Sequence, residues 1–366
     1  MLAEEHMQTI ENIIKPPKYK YIFPQKKEEI LFFDIETTGL SPKTSSLYMI
    51  GAMYFDTVSN LWHIKQFFAD DYKSEAQIII SFLELLDTYK YLYHFNGKRF
   101  DIPYVLDKCQ KYNIELSKHC YDILNDTESM YSIDILAMIR PLKKLLSIEK
   151  ANQTALEKWL GIIRDDKYDG GQLIPIYSQY MQYKNTKFDK STKLLKLLLL
   201  HNHDDIRQML NVCSILSYKD VFSDKNNITI IDITPENNKC INIKFKQNIT
   251  VPKSITITKA YPKSKEDIID IQDMMLLLDG NEVVLLVPIF YGTLKCFYPN
   301  HENYNYIEKE GIFIPSITQN QLESGNMLFY ITYHDKICFH LIPNGKVDAS
   351  NPFWKDFVML QLMSII

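Results

Sequence analysis

Four large apolar residues, Ile30 to Phe33, run directly into Asp34 and Glu36 in the stretch ILFFDIETTGL. Such a run reads as a buried strand. Side chains on a strand alternate between faces, so carboxylates two positions apart share a face, about 7 Å apart along the backbone. Two unpaired carboxylates beside buried apolar surface are costly, and a divalent cation between them removes that cost. Taken alone, the pair favours a strand end that turns to solvent, with Thr37, Thr38 and Gly39 opening a loop.

The neighbouring sequence supplies a sheet for that strand. LYMIGAMYFD (47–56) and LWHIKQFFA (61–69), joined by the polar stretch TVSN, read as a hairpin, and YLYHFNG (91–97) reads as a further strand. SEAQIIISFLELLDTY (74–89) has a cap-like serine followed by helical spacing, and helical patterns dominate from 103 to about 218. Residues 1–28 read as an N-terminal arm, a short helix followed by a proline-interrupted segment. Beyond a boundary near 219–228 the style turns β-rich, with one helical piece near 264–278, so 228–366 is expected to form a second, β-rich domain. The expected fold class is therefore α/β, a mixed sheet flanked by helices followed by that domain.

Two further acids stand in suggestive places. Asp101 follows an Asn-Gly turn and precedes Pro103, where a helix N-cap belongs, and Asn96 fits the turn itself. His201 and Asp205, in LLLLHNHDDIRQML (197–210), are four apart and share one helix face. Each has a plain structural reading, a cap in one case and a solvated helix face in the other. Asp134 reads as a strand end or helix cap, and Asp165, Asp166 and Asp169 as loop acids.

Together the four acids carry a resemblance. Asp34, Glu36, Asp101 and Asp205 stand in the order and context of the carboxylates of the DEDD-type 3′–5′ exonucleases, the DnaQ-like branch of the ribonuclease H-like superfamily. FDIETTGL resembles the first exonuclease motif, HFNGKRFDIPYV the second and HNHDDI the third. LEKWLGIIRDDKYDGGQLIPIYSQYM (156–181) is similar to the stretch preceding the third motif in bacterial ribonuclease H-like proteins of predicted exonuclease type. The resemblance covers residues 29–218; the aromatic segment 290–307 faintly resembles a region attached to similar nuclease domains in clostridial proteins.

The resemblance implies a ribonuclease H-like fold for 29–218 and a 3′–5′ exonuclease that hydrolyses single-stranded DNA or RNA ends with two divalent cations, Mg²⁺ or Mn²⁺. Asp34, Glu36 and Asp205 would hold one ion, with Asp34 bridging to a second near Asp101. His201 would be the general base, Asn96 would orient a nucleotide and Thr37 would contact the 3′ hydroxyl. The base lies four residues before the last aspartate in the tyrosine subgroup and five in the histidine subgroup, so His201 and Asp205 pair a histidine with the tyrosine spacing. Asp204 as ligand would match neither, and His203 points away from Asp205 on a helix. The competing reading is a non-catalytic nucleic-acid or protein binding module on the same fold.

Bulk properties narrow the rest. A formal net charge of −4 excludes a protein coated in positive charge for sequence-blind duplex binding. Six scattered cysteines without a C-x-x-C pair argue against a structural zinc site or a disulfide framework and for a reducing compartment. With no apolar run long enough for a signal peptide or a membrane span, the expected setting is cytoplasmic, with no membrane partner.

Overall fold

The computed structural model describes residues 7–221, 223, 227–236, 240–260, 273–288, 304–307, 312–315, 350 and 353–365. The chain divides into two units, one comprising residues up to 220 with 251–253, the other 221–250 with 254–366.

In the first unit the elements are β1 (Met7–Ile13), β2 (Ile30–Thr37), β3 (Leu47–Asp56), β4 (Leu61–Ala69), α1 (Glu75–Leu86), β5 (Tyr91–His94), α2 (Asp101–Tyr112), α3 (Lys118–Leu124), β6 (Ser132–Asp134), α4 (Ile135–Ile139), α5 (Gln153–Trp159), α6 (Gly170–Tyr183), α7 (Phe188–Cys213) and α8 (Ser217–Val221). Six strands form one mixed sheet in the order β1-β4-β3-β2-β5-β6. β2 is central, antiparallel to β3 and parallel to β5. This is the expected α/β architecture. Part of the arm differs: Met7–Ile13 forms no helix but pairs antiparallel with β4, whose outer edge it covers.

Alternation along β2 sorts its side chains. Leu31, Phe33 and Ile35 are buried against α1 and α2, and Phe33 stacks on Phe82 at 5.2 Å between centroids. Asp34 and Glu36 lie on the opposite face. There Met49 and Phe68 pack with Leu173 and Tyr177 of α6 and Leu198 of α7. The loop that follows β2 is anchored by a buried ion pair: Lys108 Nζ lies 2.7 Å from Glu75 Oε1, and Lys108 also donates to the Ser45 carbonyl.

Gly51 decides how closely α7 approaches. It is the register partner of Asp34 on β3. A Cβ there would lie 2.1 Å from Asn202 Oδ1 and 2.0 Å from Ile206 Cδ1. Only glycine lets the helix lie against the sheet at this point.

In the second unit β7 (Ile228–Glu236), β8 (Cys240–Gln247), β9 (Ile255–Lys259), β10 (Met274–Asp279) and β11 (Glu282–Pro288) form an antiparallel sheet in the order β7-β8-β11-β10-β9. Met274–Asp279, within the segment expected to be helical, pairs with β9 and β11; residues 261–272 lie outside the described residues. β12 (Tyr304–Ile307) and β13 (Ile312–Pro315) form a two-stranded ladder, and α9 (Phe353–Ile365) follows. The rest of the aromatic segment 290–307 and the strand pattern at 326–343 lie outside the described residues. Among the described residues, no helix is long and apolar enough to cross a membrane.

Candidate metal and active site

Three separate stretches deliver the sequence-selected acids to one place. β2 contributes Asp34 and Glu36, the start of α2 contributes Asp101, and α7 contributes His201 and Asp205.

Asp101 arrives by a specific device. β5 pairs with β2 only as far as Phe32, so the Ile35 amide on that side has no strand partner. Asp101 Oδ1 accepts from Ile35 N at 3.3 Å. The carboxylate expected as a helix N-cap is thus the first residue of α2, with Phe100 at the cap position, and it closes the open edge of β2. Asn96 takes a left-handed turn at φ 62° and its amide donates to Asp134 Oδ1 at 3.0 Å. Asp134 also accepts from Ala137 N as the cap of α4, in line with its plain reading. Thr37 Oγ1 donates to the Gly39 carbonyl at 2.9 Å.

The α7 side carries the least anticipated geometry. His201 is buried, with Nδ1 2.7 Å from Asp166 Oδ2. Its other nitrogen, Nε2, lies 3.2 Å from Asp205 Oδ2 and 3.7 Å from Glu36 Oε1. Asp166, read from the sequence as a loop acid, is therefore buried against the site's histidine. Asp205 Oδ1 lies 2.5 Å from Arg164, whose guanidinium also binds both oxygens of Glu157 at 2.5 and 2.6 Å. Asp204 faces away from the acids; it accepts from the Asp165 and Asp166 amides at 3.2 and 3.0 Å and so holds their loop. Asp169 caps α6 in a capping box with Gln172.

Asn202 was not singled out by any motif, yet it orients Asp34. Its Nδ2 donates to Asp34 Oδ2 at 3.1 Å, while its Oδ1 accepts from Gln66 Nε2 at 3.0 Å. Gln66 also donates to the Leu199 carbonyl at 2.9 Å, which ties β4, α7 and β2 together. The sequence signal available for this packing was Gly51, a lone glycine inside an apolar strand.

Crowded carboxylates resist ionisation together. Burial, then the charges of Asp101, Asp205 and Glu36, pushes Asp34 well above the usual carboxylate range. Burial, then Asp205 and Asp101, does the same to Glu36. Burial pushes Asp101 up to about 7, against the hydrogen bonds its own amide and that of Ile35 donate. The donor set fits a divalent cation: Glu36, His201 and Asp205 offer ligand atoms all within 4.8 Å of one another, with Asp34 and Asp101 adjoining. Carboxylate oxygens suit Mg²⁺ and Mn²⁺, and an imidazole among them suits Mn²⁺ and neighbouring transition ions.

A family model described as the RNase_H superfamily (RNase_H_2) matches residues 31–217, over half of the chain. No curated protein matches. Among solved structures, the chain is similar to apo exonuclease I at 13 % identity, covering 61 % of this chain and 57 % of that one with a TM-score of 0.31. A product-bound exonuclease I matches at 13 % identity, 61 % and 59 % coverage and 0.32. The zinc-ion-bound E. coli exonuclease I–single-stranded DNA complex matches at 14 % identity, 61 % and 55 % coverage and 0.32. The chain thus spans well over half, but less than two thirds, of the length of those structures. On the family match, and on the mixed sheet it spans, this chain belongs to the RNase H superfamily.

Proposed function

We propose that this chain is a metal-dependent nuclease of the DnaQ-like type that removes nucleotides from the 3′ ends of single-stranded DNA or RNA. The observation that supports it most is the convergence of Asp34, Glu36, Asp101 and Asp205, from three separate stretches, in surroundings that oppose the ionisation of Asp34, Glu36 and Asp101. Such a cluster repels a phosphodiester unless cations intervene. Divalent cations held by these acids would supply activation of the attacking water and stabilisation of the leaving oxygen.

Asp34, Glu36 and Asp205 would hold the first ion, and Asp101 would help to hold a second. Asn202 fixes Asp34 through Oδ2. Arg164 fixes Asp205 through Oδ1, leaving Oδ2 inward. Both carboxylates are thereby positioned before a substrate arrives. Thr37 and Asn96 are assigned to the terminal nucleotide on the motif resemblance.

The test uses single strands of DNA and of RNA labelled at either end, with Mn²⁺ or Mg²⁺, beside an Asp34→Ala variant. The expected outcome is stepwise shortening from the 3′ end by the wild type alone. Strand binding without metal-dependent shortening on any substrate would favour the binding-module reading instead.

A further inference from the structure

We propose that Nε2 of His201 is itself a cation ligand, so that the ion next to α7 is held by Glu36, Asp205 and an imidazole and the site favours transition ions over Mg²⁺. This rests on the metal-dependent reading above and replaces the general-base role that the motif resemblance gives to His201.

The geometry of the ring carries the proposal. His201 is only 5 % exposed, and Nδ1 sits 2.7 Å from the buried carboxylate of Asp166, a hydrogen bond in which Nδ1–H donates. With Nδ1 engaged by Asp166, Nε2 is the nitrogen turned toward the acids. Nε2 then faces Asp205 Oδ2 at 3.2 Å and Glu36 Oε1 at 3.7 Å. A cation placed between Nε2 and these two oxygens would meet a donor atom from each of His201, Asp205 and Glu36. Donors about 2.0–2.2 Å from a shared ion stand about 3.0–3.6 Å from one another, close to these two separations.

The surroundings are those of a prepared ligand set. Metal-bound histidines characteristically give their other ring nitrogen to a carboxylate, and ligand carboxylates are held in turn. Here Asp166 holds His201, Arg164 holds Asp205 Oδ1, and Glu157 grips Arg164 from behind. The Asp166 loop is itself fixed, since Asp204 accepts its backbone amides. The four-residue spacing of His201 and Asp205 brings Nε2 and Oδ2 to adjoining positions on one helix face.

An imidazole changes which ions bind. Mg²⁺ demands oxygen donors and sheds water reluctantly. Mixed nitrogen and oxygen sites strengthen from Mn²⁺ through Co²⁺ toward Zn²⁺. Mg²⁺ should therefore displace Mn²⁺ from this position only at large excess.

The test is pulsed electron paramagnetic resonance on the full chain with less than one equivalent of Mn²⁺ and no nucleic acid. The expected result is nitrogen modulation of directly coordinated imidazole, converted to the ¹⁵N pattern when the protein is grown with ¹⁵N-histidine, a labelling that leaves the fold untouched. His201→Gln, checked for an unchanged melting profile, should keep bound Mn²⁺ and lose the imidazole signal. Asp166→Asn should keep the signal and weaken Mn²⁺ binding about 10–100-fold. Bound Mn²⁺ without imidazole modulation in the wild type, or modulation that survives in His201→Gln, would overturn the ligand role and leave the nuclease reading standing. Failure of the wild type to bind Mn²⁺ would overturn both.

Discussion

The two sheets of this molecule bury their polar groups in opposite ways. In β8 and β11 burial alternates with exposure, as expected of an antiparallel sheet with one covered face. Among the described residues of that unit, the buried polar side chains are the two amides Gln247 and Gln361. The first sheet and its helices instead bury Glu36, Asp101, Asp134, Glu157, Asp166, Asp204 and His201, besides His94 and the Glu75–Lys108 pair that anchors the loop after β2. Charges are not placed in such surroundings for stability, because desolvation outweighs most of what pairing returns. The contrast locates the chemistry: β8, β10 and β11 follow the alternation rule, and the first sheet gathers buried acids around β2, the start of α2 and the middle of α7.

Substitutions can break or sharpen this contrast. Asp34→Asn has the largest expected effect. It keeps the shape and an oxygen for Asn202 but removes a ligand charge, so metal-dependent strand cleavage should fall on the order of 10³-fold or more. Its melting temperature without metal should stay level or rise, because one crowded carboxylate is gone. A clear drop in melting temperature would mean that Asp34 serves the fold.

Gly51→Ala comes next. The added carbon collides with Asn202 and Ile206, so α7 must shift, at a cost of about 1–3 kcal/mol. Mn²⁺ affinity should weaken in parallel, because Asn202, His201 and Asp205 ride on the same helix. Normal Mn²⁺ affinity in a destabilised variant would separate the packing of α7 from the site.

The pH response is a subtler expectation. An unfolded aspartate titrates near 4, whereas Asp101 in the folded chain titrates near 7. Between those values the folded state holds a proton that the unfolded state has lost, so ionising Asp101 costs stability as pH rises. The melting temperature of the wild type relative to Asp101→Asn should therefore fall from about pH 5 to about pH 8 without metal. Cations compete with that proton, so Mn²⁺ affinity should rise across the same range. A difference that is flat or rises with pH would mean Asp101 is ionised throughout.

The smallest effect belongs to the second sheet. Lys246 and Glu282 form an exposed cross-strand pair at 3.1 Å. Lys246→Ala should change stability by about 0.5 kcal/mol or less and leave Mn²⁺ affinity untouched. A loss of affinity there would tie the second sheet to the site.

Much of this architecture was legible from local rules. β2, the β3–β4 hairpin and α7 follow from periodicity, and the faces of Asp34 and Glu36, or of His201 and Asp205, follow from the strand and helix repeats. What stayed hidden depends on contacts between distant stretches. Asp166 looks like its loop neighbours in sequence, and only the packing of α7 against that loop makes it the partner of His201. Arg164, Gln66 and Asn202 belong to no motif that reveals a partner 41, 136 or 168 positions away. Asp101 sits where a cap belongs, and its different use follows from where β5 stops pairing with β2. β1 was missed because MQTIENI, on the sheet's edge, has too few apolar residues to announce a strand. β10 was read as helical because MMLLLD favours either state, and its pairing with β9 and β11 decided it.

The central claim is that the acids of β2, α2 and α7 form one cation site. Diffraction from crystals of the full chain soaked in Mn²⁺, with anomalous differences collected at the manganese edge, tests it most directly. Strong anomalous density is expected between Asp34, Glu36 and Asp205. Well-ordered side chains at those positions with no anomalous density among them, at Mn²⁺ concentrations that saturate binding in solution, would contradict it.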